Sequence, residues 1–441
     1  MQAKVGRKVR CYSSRFPAGR AGVLSGGFMV EHVDIFIVGG GMVGTAIAAR
    51  LGHSGLNIAV LEQQAPPAFD PASPPDLRVS AISPASRALL ERIGAWQHIE
   101  AMRSAPYQRM QVWETERSAG TLFDAGEVDA ANLGHIIENR IVQLACTQAL
   151  QQHANIQLIC PDSIQRLDIQ AGGSRIELAS GRSFVARLVI GADGAKSQVR
   201  DAASIGLNSH EYPMHAFVAT VGIQGGERDI TWQRFTPNGP QSLLPLPGDY
   251  ASLVWYHQPQ QVQQLLQLDD TALIAAFSRE FPDALPTLTH VVSRGSFALI
   301  RRHAQDYVRA GVVLAGDAAH TIHPLAGQGV NLGFQDAEAL CQVLEQAVQQ
   351  GEDIASLAVL QRYQRQRMLP NHGMQRLMDA FCYGFSNDSG PLRFVRNLGL
   401  KLANHSGPVK KEVIRYALGL STPDQLLPTP LALLKPRLKR A

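Results

Sequence analysis

Val33-Asp34-Ile35-Phe36-Ile37-Val38-Gly39-Gly40-Gly41-Met42-Val43-Gly44 decides the fold. The first six residues form a β-branched, largely apolar run, the pattern of a buried parallel strand. The glycines follow at once. Gly39 suits a tight turn, Gly41 lets the backbone approach a pyrophosphate, and Gly44 lets a helix close on the strand. A helix is predicted from Met42 to Ser54, with Ala46, Ala48 and Ala49 keeping its surface small and Gly55 closing it. Its first amides, near Met42 and Val43, face the phosphates, where the helix dipole favours negative charge. Ile58-Ala59-Val60-Leu61 is the next strand. Glu62 at its end lies 23 residues after Gly39, where a carboxylate meets a ribose hydroxyl. The plain alternative for Glu62 is a solvated strand-end acid. The unit binds a dinucleotide and does not by itself choose between FAD and NAD(P).

The chain of 441 residues is long enough for two closely packed lobes. Its 45% hydrophobic and 18% charged content suits a globular protein. A net charge of +4 is too mild to point to nucleic acid. Five scattered cysteines argue against a zinc site or a disulfide framework. Residues 1–28 carry Lys4, Arg7, Lys8, Arg10, Arg15 and Arg20 and no acid. They read as a basic leader or as a start placed upstream of Met29. No run reaches transmembrane length.

Two further segments are strands that enter glycine turns. Leu188-Val189-Ile190-Gly191-Ala192-Asp193-Gly194 continues to Ser197, Val199 and Arg200. Taken alone, Asp193 could simply cap a helix. Val312-Val313-Leu314-Ala315-Gly316-Asp317-Ala318-Ala319-His320 leads to Pro324, Gly327, Gln328, Gly329, Val330 and Asn331, and then to a helix through Asp336 and Leu340. A metal site at His320 and His323 lacks further ligands nearby.

These segments resemble the single-component aromatic hydroxylases related to 4-hydroxybenzoate hydroxylase. The resemblance implies FAD at the first unit and Asp193 near its pyrophosphate. It places Asp317 on the ribityl chain, and Pro324 with Gly327-Gln328-Gly329 beside the isoalloxazine ring. Asp76-Leu77-Arg78-Val79-Ser80-Ala81-Ile82 resembles the family's arginine segment, in which Arg78 contacts FAD with a forked set of donors. Glu138-Asn139-Arg140 resembles a further FAD-contacting helix start. Together with Leu133-Gly134-His135, these segments are similar to the ubiquinone-biosynthesis hydroxylases. Thr231 to Pro240, Ala251 to Tyr256 and Gly390 to Leu400 are most similar to the branch that adds the last ring hydroxyl. The implied substrate is a polyprenylated quinol, with O2 as co-substrate and NAD(P)H as electron donor.

The expected fold is α/β. A discontinuous Rossmann-like FAD lobe takes 29–104, 127–205 and 300–350. A β-sheet substrate lobe takes 105–126 and 206–299, and C-terminal helices take 351–441. Alternation in Phe217 to Val221 and Ser252 to Tyr256 predicts strands of a sheet roofing the flavin. Trp232, Phe235, Trp255 and Tyr256 are candidates to line the pocket, and sheet packing is the plain alternative for each. The helix through Arg362 to Met368 is expected to break at Pro370. The basic stretch Leu392 to Leu420 suggests peripheral contact with the inner face of the cytoplasmic membrane, a quinone-synthesis complex or a homo-oligomer, against the alternative of a solvated helix. No catalytic base is assigned. A hydroxylase of a small soluble aromatic, an isoprenoid-reducing flavoprotein and a non-catalytic flavin scaffold remain open alternatives.

Overall fold

The computed structural model describes residues 22–23, 29–114, 120–170, 172–281, 286–322, 329–385, 410–412, 415 and 419. Its main strands are β1 (Met29–Val38), β2 (Ile58–Leu61), β3 (Val79–Ile82), β4 (Arg109–Trp113), β5 (Gly134–Glu138), β6 (Ile156–Ile159), β7 (Ser183–Gly191), β8 (Leu207–Gln224), β9 (Ile230–Arg234), β10 (Gln241–Leu246), β11 (Tyr250–His257), β12 (Thr287–Ala304) and β13 (Val312–Leu314). The helices used below are α1 (Met42–Arg50), α2 (Pro84–Arg92), α3 (Asn139–Leu150), α4 (Gln198–Ala202), α5 (Pro259–Gln267), α6 (Asp270–Glu280), α7 (Gly329–Gln349) and α8 (Leu357–Phe385).

Strands β6, β2, β1, β7 and β13 lie side by side and parallel. Ile35, Phe36 and Ile37 of β1 are fully buried, as are Leu188, Val189 and Ile190 of β7. This explains why these strands read as continuous apolar runs. Parallel order sends every following loop to the same sheet edge, and the sequence order of the strands reverses between β1 and β7. Ligands of open α/β sheets bind at such a switch point.

The second sheet runs β12, β8, β11, β10, β9, β4, with Thr121–Asp124 beyond β4 and His320–Thr321 beyond β12. One face packs Phe217, Ala219, Val221, Leu253 and Trp255 into a cluster with Leu273 and Phe277 of α6. The opposite face presents Ala216, Val218, Tyr256 and Leu299, against which Leu77 and Phe297 pack. β12 runs across position 300, and His303 pairs with His320, so the strand is shared between the two sequence regions.

Two local expectations change, and for two aromatics the packing alternative holds. The first helix stops at Arg50 rather than Ser54, because Leu51 to Ser54 form a turn in which the Ser54 hydroxyl donates to the Leu51 carbonyl at 2.6 Å. Gly55 then takes a φ of +76°. Pro370 does not break α8, which runs from Leu357 to Phe385. The missing Pro370 N–H leaves the carbonyl of Gln366 on an exposed face, where water can serve it. Trp232 and Trp255 lie in the cluster under α6, away from the face that meets Leu77.

Candidate functional site

Backbone hydrogen bonds tie the motif loops edge to edge. Gly39 N–H donates to the Leu61 carbonyl at 2.9 Å, Ala192 N–H to Val38 at 2.8 Å, and Ala315 N–H to Gly191 at 2.9 Å. Glu62 N–H donates to Ile159 in the same row. Gly39, Glu62, Asp193 and Gly316 are thereby brought to one edge. Gly39 has a φ of +103°, and a Cβ there would stand 2.4 Å from the Ala192 carbonyl oxygen. A Cβ on Gly44 would stand 1.9 Å from the Gly39 carbonyl oxygen, so this glycine lets α1 sit on the turn. Gly41 differs: no atom lies within 4 Å of its Cβ position, and open space faces it. Gly41 is the cap of α1 and offers no side-chain cap, so the amides of Met42, Val43 and Gly44 are left for an outside partner. Glu62 lies beside Gly40, whose Cβ would meet the Glu62 Cβ at 2.6 Å.

Asp193 accepts from the amides of Gln198 at 2.7 Å and Val199 at 3.2 Å through one oxygen, capping α4. Its other oxygen is buried without a partner. Burial pushes this carboxyl up, against hydrogen bonds from Ser197, Val199 and Gln198. An orphaned acceptor, open space before Gly41 and uncapped helix amides suit a dinucleotide with hydroxyl donors and phosphates.

The Asp317 side chain is exposed to solvent at the turn, with protein packed densely around it. Enclosure raises its pKa, and His320, Arg78 and Arg302 oppose the rise. Arg78 lies with its guanidinium 4.9 Å from the centre of the Phe297 ring. Asn139 donates its N–H to the Arg78 carbonyl at 3.0 Å and accepts from the Ser80 hydroxyl at 2.7 Å. The neighbours of Asn139 brace the arginine segment: Glu138 pairs with Arg103 at 2.7 Å, and Arg140 with Asp76 at 2.7 Å.

Val43 joins the first motif to the third. A Cβ on Gly316 would meet it at 3.2 Å, and one on Gly333 at 2.6 Å. At the start of α7, Gly329 faces open space and Val330 packs on the main core. Asn331 is buried: its amide donates to the Ala81 carbonyl at 2.8 Å, and its oxygen accepts from Ser83 N–H at 3.1 Å and the Ser86 hydroxyl at 2.7 Å. These bonds hold α7 against β3 and α2. Pro324, Gly327, Gln328 and His323 lie outside the described residues.

Several contributors carry no motif signal. Gln143 donates to the Gly40 carbonyl at 3.0 Å, and Arg200 to the Ala318 carbonyl at 3.1 Å. Asp336 accepts from Gly316 N–H at 3.1 Å. Only a four-residue spacing, Gly329 to Gly333, hinted that α7 would lie close to another backbone. Among the described residues no group of three His, Cys, Asp or Glu could hold a metal ion. None of the described helices is long and apolar enough to cross a membrane. Lys410, from the basic stretch, is buried and pairs with Glu127 at 2.6 Å.

A family profile described as FAD binding domain matches residues 32–376. The chain is 46% identical over 390 residues to 3-demethoxyubiquinol 3-hydroxylase of Escherichia coli K12, covering 88% of this chain and 99% of that protein. It is 33% identical to the human ubiquinone biosynthesis monooxygenase COQ6, covering 87% of this chain and 92% of the relative. Among solved structures, p-nitrophenol 4-monooxygenase PnpA of Pseudomonas putida is similar, with a TM-score of 0.73 at 21% identity over 88% of this chain and 99% of that one. PqsL of Pseudomonas aeruginosa gives 0.71 at 22% identity over 84% of this chain and all of that one.

Proposed function

The chain belongs to the FAD-binding family that includes the ubiquinone-biosynthesis hydroxylases, and from that premise we propose that it hydroxylates the ring of a polyprenylated benzoquinol at the demethoxyubiquinol step. The observation that carries the proposal is a junction. Arg78, whose charge acts on the Asp317 carboxyl, lies 4.9 Å from the centre of the Phe297 ring, and Phe297 packs with the apolar sheet face of Val218, Tyr256 and Leu299. The turn expected to hold the flavin is thereby joined to an apolar surface suited to an aromatic ring.

FAD supplies the oxygen-activating chemistry when bound. Gly39, Gly41, Met42, Val43 and Gly44 would hold its pyrophosphate, Glu62 a ribose, and Asp317 its ribityl hydroxyls. Arg78 brings a fixed positive charge to the same recess. Asp193 presents its free oxygen near the pyrophosphate. Backbone amides at Gly329 and Val330, with Pro324, Gly327, Gln328 and Asn331, would border the ring. Leu77, Phe297 and Tyr256 exclude water and aim the substrate. The electron donor is NAD(P)H and the oxidant O2, as is usual for this family. A polyprenyl tail stays in lipid, so the enzyme works at a membrane surface or beside lipid-presenting partners.

The test is mass spectrometry of quinones from cells lacking the protein. Accumulated demethoxyubiquinone with lost ubiquinone supports the step named here. An earlier intermediate moves the ring position, and unchanged ubiquinone in a strain without a second hydroxylase removes the substrate assignment.

A further inference from the structure

Every fourth residue along one face of α8 is polar and turned inward: Tyr363, Arg367, Asn371, Gln375 and Asp379. Their partners lie on β13 before the Asp317 turn, on Thr321 after it, on β8 and β12 of the second sheet, and on α7. Tyr363 donates to the Leu314 carbonyl at 2.9 Å, and Gln375 to the carbonyls of Arg302 and Thr321. Asp379 takes the Tyr212 hydroxyl and Arg301.

The centre of this ladder is ionic. Asp336 is fully buried. One oxygen accepts from Gly316 N–H at 3.1 Å and from His320 Nε2 at 2.5 Å. The other accepts from Arg367 Nε at 2.8 Å and the Asn371 amide at 3.1 Å. Arg367 also donates to the Asn371 oxygen at 2.7 Å. Both Asp336 oxygens accept from N–H donors, which an amide with a single acceptor oxygen would not match, so a carboxylate suits this junction. Apolar residues of like volume are often as stable as a buried ion pair, which leaves the charged Asp336–Arg367 pair open to a role besides stability. It lies one hydrogen bond behind the turn, and its field reaches Asp317, whose carboxyl responds to Asp336 and His320.

We propose that the buried Asp336–Arg367 pair sets the reduction potential of flavin bound at the Gly316–Asp317 turn, with α8 supplying the positive half. Both are positioning residues, and the proposal rests on the reading that FAD occupies this turn. Reduced flavin gains negative charge, so nearby positive charge favours it and negative charge disfavours it. Asp336→Asn leaves Arg367 unbalanced and raises the midpoint potential. Arg367→Gln removes the permanent cation, leaves Asp336 with His320 and Asn371, and lowers the potential. The double variant returns close to the parent value.

The experiment is a dye-coupled reductive titration of the purified FAD-loaded protein and these three variants, with FAD affinity measured separately. Opposite shifts in the single variants, cancelling in the double, are expected. Shifts of the same sign, or none while FAD stays bound, overturn the charge role. Should Asp336→Asn not fold, Arg367→Gln and Arg367→Lys decide: the first must lower the potential and the second preserve it. Purified parent protein that neither carries nor takes up FAD would remove the flavin reading itself and this role with it.

Discussion

The turn at Gly39–Gly44 and the turn at Gly316–His320 leave the same sheet edge, yet they are held in different ways. The first is shaped by absent side chains: Gly39, Gly40 and Gly44 each let another group come closer than a Cβ permits. The second is held by side chains from distant elements. Arg200 of α4 grips the Ala318 carbonyl, and Asp336 of α7 grips Gly316 with Arg367 of α8 behind it. A backbone-shaped turn fails by steric clash; a side-chain-held turn fails by losing charge or hydrogen bonds.

The largest effect is expected at the first turn. Gly44→Ala would press a Cβ to 1.9 Å from the Gly39 carbonyl oxygen, a clash with backbone rather than with the end of a flexible side chain. A destabilisation of at least about 4 kcal/mol and flavin-free protein should result. Gly41→Ala should separate fold from ligand, because its Cβ enters open space. Unfolding of that apoprotein should change by only about 1 kcal/mol, the cost of alanine at a helix cap, while bound flavin falls, read from flavin absorbance per protein. Equal damage by both substitutions would break the comparison.

At the second turn, Asp336→Ala strands Arg367 and should cost about 3–5 kcal/mol in urea unfolding, because it leaves a buried charge unpaired. A cost under about 1 kcal/mol would mean water already shares that site.

Next comes acid sensitivity. Burial, helped by His372, lowers the pKa of His303 to about 4, and burial, helped by Arg87, does the same for His135. Both are neutral when folded, whereas in the unfolded chain they charge below about pH 6.5. The unfolded state therefore binds protons first as pH falls from about 6.5 to about 4, and stability drops across that window. The loss is up to about 3 kcal/mol per histidine. His303→Gln should flatten this acid limb in denaturant titrations at stepped pH, and an unchanged slope would show His303 charging without cost.

The smallest effects separate the two faces of the second sheet. Trp255→Phe, under α6, should cost about 1 kcal/mol of stability and leave KM unchanged. Phe297→Ala, on the face toward Leu77, should raise KM several-fold. A KM that moves with Trp255 and not with Phe297 would reverse the assignment of faces.

The same contrast explains what the sequence disclosed. Strand, glycine turn, helix and acid are local, so β1, α1, β2 and Glu62 could be read from period and spacing. The face chosen by an aromatic residue in a two-sided sheet is not local. Trp232 and Trp255 are pocket candidates by position, with packing the plain alternative, and their face depends on where α5 and α6 lie. Pro370 looked like a break because the anchors on either side of it, Arg367 and Asn371, bind groups far away in sequence. The polar four-residue ladder was visible in the letters, but exposed helix faces carry similar patterns. Asp193 was legible as a cap or as a cofactor contact; one oxygen caps α4, and the other is buried without a hydrogen-bond partner.

The most direct test of the hydroxylase account is an assay of the FAD-loaded protein with NADPH, 18O2 and a short-tailed demethoxyubiquinol in lipid vesicles. One 18O atom in the ring of the product, with reductant and oxygen consumed in equal amounts, is the predicted result. Reductant consumed with no label in the ring, or a product reduced in its isoprenoid tail, would contradict it.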